Sequence, residues 1–157
     1  MRPVREQRVP MPKEGCNVTP VKEMRARDFM IAKPVVFTRN TALLDAVRIL
    51  VDRRISGAPV VDERGNLVGV LTERDFLRAA LVAGYHGESG GRVGEYMTSD
   101  VEAVNAEDSL LDVAMRFVET KFRRFPVMDD NRVVGLVTRQ DVLRTVLDTF
   151  GPERSSR

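Results

Sequence analysis

Two stretches of this chain place a threonine and an aspartate three residues apart, directly after an apolar run. The first is Gly69-Val70-Leu71-Thr72-Glu73-Arg74-Asp75, and the second is Gly135-Leu136-Val137-Thr138-Arg139-Gln140-Asp141. Each ends a strand-like segment and opens a helix-like one. The polar side chains therefore gather where a helix start exposes unbonded amides. Two chemistries fit. In a capping box, the threonine hydroxyl accepts from the aspartate amide while the carboxylate reaches back to the threonine amide. A carboxylate at that junction can equally accept two hydrogen bonds from a vicinal diol, as on ribose. The helix amides and the positive dipole end suit phosphate. The two uses do not exclude each other, and spacing alone does not choose between them.

The elements that must position these residues are themselves doubled. Residues 58–77 read APVVDERGNLVGVLTERDFL and residues 125–143 read FPVMDDNRVVGLVTRQDVL. Pro59 matches Pro126, and Gly69 matches Gly135. Upstream, Asp28-Phe29-Met30 matches Glu95-Tyr96-Met97, and Leu43-Leu44-Asp45 matches Leu110-Leu111-Asp112. The second copy is one residue shorter between its two apolar runs, a change that a hairpin loop tolerates. Such a repeat must be recognised before any fold is assigned.

Within a copy, Leu43, Ala46, Val47, Leu50 and Val51 recur at helical spacing, as do Leu110, Val113, Ala114, Phe117 and Val118. Each set predicts one apolar stripe roughly 100° wide. Thr41 is expected to cap the first of these helices. An extended run at 34–37 precedes it. Two strands follow, Ala58–Val61 and Leu67–Leu71, joined by Asp62–Asn66, with Pro59 at a strand start or an edge. A second helix is expected from Glu73 to a stop at Gly84, its apolar face being Phe76, Leu77, Ala80 and Leu81. Val142, Leu143, Val146, Leu147 and Phe150 match that face before Gly151-Pro152.

The expected fold is therefore α+β: two β-α-β-β-α motifs packed with pseudo-two-fold symmetry. The expected boundaries are an arm at 1–20, a first motif at 21–84, a linker at 85–91, a second motif at 92–150 and a tail at 151–157. A unit of about 60 residues is marginal alone, so the two should bury apolar faces against each other.

Composition narrows the function. The 157 residues carry 43% hydrophobic and 31% charged residues, as a globular protein does. A net charge of +2 is too small to argue for nucleic acid. One cysteine, Cys16, and one histidine, His86, remove most support for a zinc cluster or a Ser-His-Asp triad. No nucleophile–base pair or phosphate-cradling glycine loop appears, so an enzyme is not expected. No apolar run approaches the roughly 20 residues of a membrane span. The first residues lack the apolar core of a secretory signal, so a cytoplasmic location is expected.

Taken in order, Asp28-Phe29-Met30, the Leu43–Val51 stripe, Ile55-Ser56-Gly57-Ala58-Pro59-Val60-Val61-Asp62 and Gly69–Asp75 resemble a CBS motif, named for cystathionine beta-synthase. Val93–Met97, Phe122–Asp129 and Gly135–Asp141 resemble a second. A tandem pair of this kind is called a Bateman module. The resemblance implies a regulatory module that binds adenosine-containing ligands (AMP, ADP, ATP or S-adenosylmethionine), with no obligatory cofactor. It also implies a homodimer through the helices and a regulated partner protein. The alternative is an oligomerisation module whose ligand sites are vestigial.

By the same resemblance Asp75 and Asp141 hold ribose, and Thr72 and Thr138 assist. Ser56-Gly57-Ala58 and Arg123-Arg124-Phe125 face the base. The opening strand of the opposite copy completes each pocket, which brings in Ala103 within 101–104 at the first site, and Val36 and Thr38 within 35–38 at the second. Arg74 and Arg139 are further phosphate candidates. The copies diverge where Ser56-Gly57 stands opposite Arg123-Arg124. A guanidinium forks onto phosphate. The expectation is therefore that the second site favours a charged nucleotide, while the first is roomier and takes adenosine or stays empty.

Overall fold

The computed structural model describes residues 23–86 and 90–150. The arm at 1–20, Cys16, the stop at Gly151-Pro152 and the tail lie outside the described residues. The first copy contains α1 (Ala26–Phe29), β1 (Ile31–Ala32), β2 (Phe37–Thr38), α2 (Leu43–Arg53), β3 (Gly57–Val61), β4 (Leu67–Thr72) and α3 (Glu73–His86). The second contains α4 (Val93–Tyr96), β5 (Val104–Asn105), α5 (Leu110–Glu119), β6 (Arg124–Asp129), β7 (Arg132–Thr138) and α6 (Arg139–Phe150). The β-α-β-β-α order is present twice, preceded in each copy by a short helix that periodicity did not reveal.

In each copy a short strand runs parallel to the next across a helix, and that strand then turns back antiparallel: β2-β3-β4 in the first, β5-β6-β7 in the second. Both antiparallel pairs shift register at the same place, between Val60 and Val61 and between Val127 and Met128. The missing residue of the second copy is at the hairpin. There Asp130 and Asn131 both adopt positive φ (46° and 63°), the two-residue turn that follows the strand twist. The first copy instead uses a longer turn in which Asp62 accepts from the amides of Arg64 and Asn66, both at 2.9 Å, with Gly65 at φ 84°. A further bond from the Asn66 side-chain amide, at 3.0 Å, leads these in holding the Asp62 carboxyl below its ordinary pKa.

The opening segments cross over. Strand β1 pairs with β7 of the second copy, and Thr98 pairs with Val70 of the first, exchanging backbone bonds of 2.9 Å in both directions. Glycine permits the approach. A Cβ on Gly69 would meet Met97 Sδ at 2.7 Å and Thr98 O at 2.9 Å, and one on Gly135 would strike the Met30 side chain. The two apolar cores follow the exchange. Ala26 is buried among Val104, Leu110, Phe117, Phe125 and Val142, whereas Val93 is buried among Phe37, Leu43, Leu50 and Leu71. Arg27 fastens the first exchange from outside, bonding Glu107 and Asp129. Its hydrogen bond to Glu107 is the main reason its pKa lies above the ordinary arginine value.

Pro59 sits inside β3, the middle strand of its sheet, and is fully buried. Its partner Val70 spends both backbone groups on Thr98, so the Pro59 nitrogen faces the β2 side. Pairing with β2 begins only at Val60. The missing N–H therefore breaks no ladder bond.

Several local expectations are corrected. Thr41 does not cap α2. Its hydroxyl accepts from the Thr38 amide at 3.1 Å, and the cap position falls to Ala42, which has no side-chain bond. Ser109, the match of Ala42, does cap α5 through the Asp112 amide. Of the extended run at 34–37 only Phe37 pairs as a strand, joined by Thr38. Helix α3 passes through Gly84 to His86, since a mid-helix glycine costs only about 1 kcal/mol. The expected linker accordingly loses its first two residues to helix. The apolar stripes also split in two. Leu43, Ala46, Leu50, Leu110, Val113, Phe117 and Val142 enter the cores, and on α3 the buried alanine is Ala79, the expected Ala80 being exposed. Val51, Leu77, Leu81, Val118, Leu143 and Leu147 face outward.

Candidate functional site

Both strand–helix junctions adopt the same geometry. Asp75 Oδ2 accepts from Thr72 N and Thr72 Oγ1, each at 2.8 Å, while Asp75 N donates back to Thr72 Oγ1 at 3.3 Å. Asp141 and Thr138 reproduce these three bonds at the same distances. The capping box is therefore present in both copies. It consumes one carboxylate oxygen and leaves the other, Oδ1, outside the box. Both aspartates are buried, the only charged residues so placed among the described residues.

The two Oδ1 atoms meet different neighbours. Thr98 Oγ1 donates to Asp75 Oδ1 at 3.2 Å. The residue matching Thr98 in the other copy is Ile31, which has no donor to offer. Asp141 Oδ1 instead has the exposed Arg144 guanidinium at 3.7 Å.

The first junction opens on a cavity of about 530 Å³. Thr72, Glu73 and Arg74 form one wall. Val70 of the first copy joins them, and the second copy contributes Thr98, Asp100–Glu102 and Lys121–Arg124. Ser56 completes the rim. A ligand there would touch both copies at once. Arg124 crosses from β6 to the first copy, where Nη1 bonds Ser56 O at 3.0 Å and Nη2 bonds Ser56 Oγ. Gly57 makes room, because a Cβ there would collide with this guanidinium. Burial draws the Arg124 pKa below the ordinary arginine value, opposed by the charges of Glu73 and Asp75.

This placement changes the sequence-based assignment. Arg123 and Arg124 were expected to distinguish a charged second site from a roomier first one. They line the first cavity together with Ser56, because β6 projects across the boundary between copies. Phe125 is wholly buried, its ring 4.6 Å from that of Phe117, and Ala58 is buried in the other core. Their side chains serve packing.

The opposite-copy segment also reaches the first cavity slightly earlier in sequence than expected. Val101 and Glu102 line it, while Ala103 uses its carbonyl to hold Arg116 at 2.9 Å. Thr38 lies away from the first junction. It pairs with Val61, at the opposite end of β3 from Gly57, and faces a separate hollow beside Arg39 and Arg64. Val36 is exposed. Arg74 lines the cavity, whereas Arg139 on the second junction matches Glu73, its amide bonded to Arg123 O at 3.3 Å as that of Glu73 is to Ser56 O at 3.0 Å, and the match of Arg74 is Gln140. Sequence reading missed Thr98, Asp100, Lys121 and Phe122. The mismatch of Thr98 with Ile31 was visible as a polar residue lacking a polar counterpart.

Among the described residues no group of three or more histidine, cysteine, aspartate or glutamate side chains is placed to hold a metal, and no helix is long and apolar enough to cross a membrane.

Comparison with known proteins agrees with this architecture. The CBSX2 protein of Arabidopsis thaliana, a chloroplastic CBS domain-containing protein, is 31% identical over 134 residues, covering 69% of this chain and 56% of that one. An uncharacterized protein of Methanocaldococcus jannaschii is 30% identical over 118 residues, 75% of this chain and 41% of the other. The chain thus spans little more than half the length of these relatives, or less. Among solved structures, CBSX2 in complex with AMP superimposes with a TM-score of 0.70 at 35% identity, covering 79% of this chain and 96% of that one. A CBS domain pair in complex with 5-methylthioadenosine and S-adenosyl-L-methionine gives 0.68 at 30% identity, with coverage of 78% and 95%. The CBS domain model matches residues 26–82 and again 93–148, each match opening at the crossing segment and closing on the helix after the Thr-x-x-Asp junction. With both copies matched over most of its length, the chain belongs to the CBS domain family, as a tandem pair.

Proposed function

We propose that this chain is a non-enzymatic regulatory module that binds an adenosine-containing ligand and signals its presence to a partner protein. One observation carries the reading. A cavity of about 530 Å³, within the range of small-molecule sites, opens at a helix start whose lining includes Arg74, Lys121, Arg123 and Arg124. The Thr72, Glu73 and Asp75 amides are spent on Asp75, Ser56 and Thr72, so it is chiefly these cations that suit a 5′-phosphate or a carboxylate. The buried Asp141, whose Oδ1 lies outside the capping box, suits ribose. The complexes of similar CBS pairs with AMP and with S-adenosyl-L-methionine support the adenosine class. AMP, ADP, ATP and S-adenosylmethionine all remain candidates.

Signalling follows from the crossed construction. A ligand in the cavity bears on Thr72–Arg74 of one copy and on Asp100–Glu102 and Arg123 of the other. It shifts their relative position only as far as it binds one arrangement better. A thermal-shift panel tests the reading. A ligand at 100 times its Kd should add about 2.7 kcal/mol of stability. Absence of any shift with all four candidates would leave an oligomerisation module with vestigial sites.

The second copy of the chain is the proposed physical partner. Leu77, Leu81, Leu143 and Leu147 are 55% to 71% exposed on the two helices that close the copies. Large exposed apolar side chains of this kind, repeated on both helices, are what an interaction surface presents. Replacing Leu81 and Leu147 together with aspartate should halve the mass seen by light scattering. A mass the same as that of the parent chain refutes this dimer face.

A further inference from the structure

The two junctions differ in how much of their carboxylate is left to a ligand. A carboxylate offers about four acceptor positions. Asp141 has two of them filled, both by Thr138. Asp75 has three filled, two by Thr72 and one by Thr98. A vicinal diol held by both hydroxyls needs two. Only Asp141 can supply them without breaking a bond already made.

Position agrees with this count. Thr72, Glu73, Arg74 and Thr98 line the first cavity, and Asp75 does not. The Thr98 hydroxyl stands on the carboxylate, and the Thr98 backbone is pinned by its paired bonds to Val70. Arg78 occupies the place that Arg144 holds in the second copy, yet only Arg144 comes within 4 Å of its aspartate among the described residues.

We infer that Thr98 is a specificity-determining residue that makes the first junction insensitive to the ribose diol, whereas the second junction depends on it. The first cavity then selects by charge, through Arg74, Lys121, Arg123 and Arg124, and accepts a phosphate-bearing nucleotide with or without its 2′-hydroxyl. This deepens the adenosine-ligand reading above and rests on it.

Calorimetric titration of the full chain with AMP and with 2′-deoxy-AMP tests the inference. In an Asp141→Ala chain, which isolates the first junction, the two ligands should bind within about twofold of each other. Adding Thr98→Val keeps the shape and the backbone pairing but frees Asp75. The 2′-deoxy ligand should then bind about tenfold more weakly than AMP. In the otherwise unaltered chain, Ile31→Thr places a hydroxyl against Asp141 and should abolish the diol preference at the second junction. A preference that does not move when Thr98→Val is added, or an Asp141→Ala chain that melts as a folded protein but binds no AMP, overturns the inference. In both cases AMP binding by the unaltered chain preserves the adenosine-ligand reading. An unaltered chain that binds neither adenylate overturns both.

Discussion

Replacing Phe125 with alanine should cost about 3–5 kcal/mol of stability, the range for deleting a buried aromatic ring. Phe125 is fully buried at the centre of the second core. Its ring lies 4.6 Å from Phe117 and 6.0 Å from Phe122, and the Arg116 guanidinium sits 5.5 Å from its centroid. Alanine would remove the packing partner of both rings and the face beneath the cation at once. For a chain of this size each kcal/mol lowers Tm by roughly 2–4 °C, so a fall of about 10 °C is expected. Phe125→Leu, which keeps most of the volume, should cost far less. A thermal melt checks both. An alanine variant melting within 2 °C or so of the parent would show that the ring does not organise this core. Because Ala26 belongs to the same core, the Phe125→Ala chain should also lose protection of the α1 amides to hydrogen exchange.

The largest effect on binding is expected from Asp141→Ala. Hydrogen bonds to a charged group contribute about 1.5–3 kcal/mol each, so losing two should weaken the site at the second junction by at least about 100-fold. The same change removes half of a capping box, worth about 1 kcal/mol of stability. The ion pair with Arg144 adds little, because that guanidinium is largely exposed and screened. Titration and melting separate the two effects: a change confined to capping lowers Tm and leaves affinity intact. An unchanged affinity in a folded Asp141→Ala chain would mean that the diol is held elsewhere.

The junctions were legible in the sequence because their chemistry is local. Thr72 and Asp75 meet through a spacing of three residues, and the bonds they form repeat identically at Thr138 and Asp141. The hairpins were legible for the same reason, through proline, glycine and the one-residue deletion between the apolar runs of the second copy. What escaped was long-range. Nothing near Arg124 in the chain says that its guanidinium ends on Ser56, since that contact depends on how two copies meet. Helices α1 and α4 are single turns, too short to carry a period, and each is held by the other copy's core. Apolar spacing located α2 and α5 but could not say that Val51 and Val118 would face outward, because a stripe wider than the core it serves has the same period as one that fits. Thr41 and Ala42 differ by one residue in position, a distinction that hydrogen bonding in the preceding turn decided.

The crossing of the opening segments also bears on how the chain comes to be folded. As it emerges from a ribosome, the first copy is complete in sequence well before its core can close, because Val93 and Met97 are still to be made. The second core, in turn, waits for Ala26 and Met24, synthesised long before, to return to it. Neither half can be finished while the other is absent. The contacts that close each core join residues far apart in sequence, which slows the search for them. The same dependence should bind the halves into one cooperative transition, and a nascent chain stopped between the copies lacks the Val93 that Phe37, Leu43, Leu50 and Leu71 are built to cover.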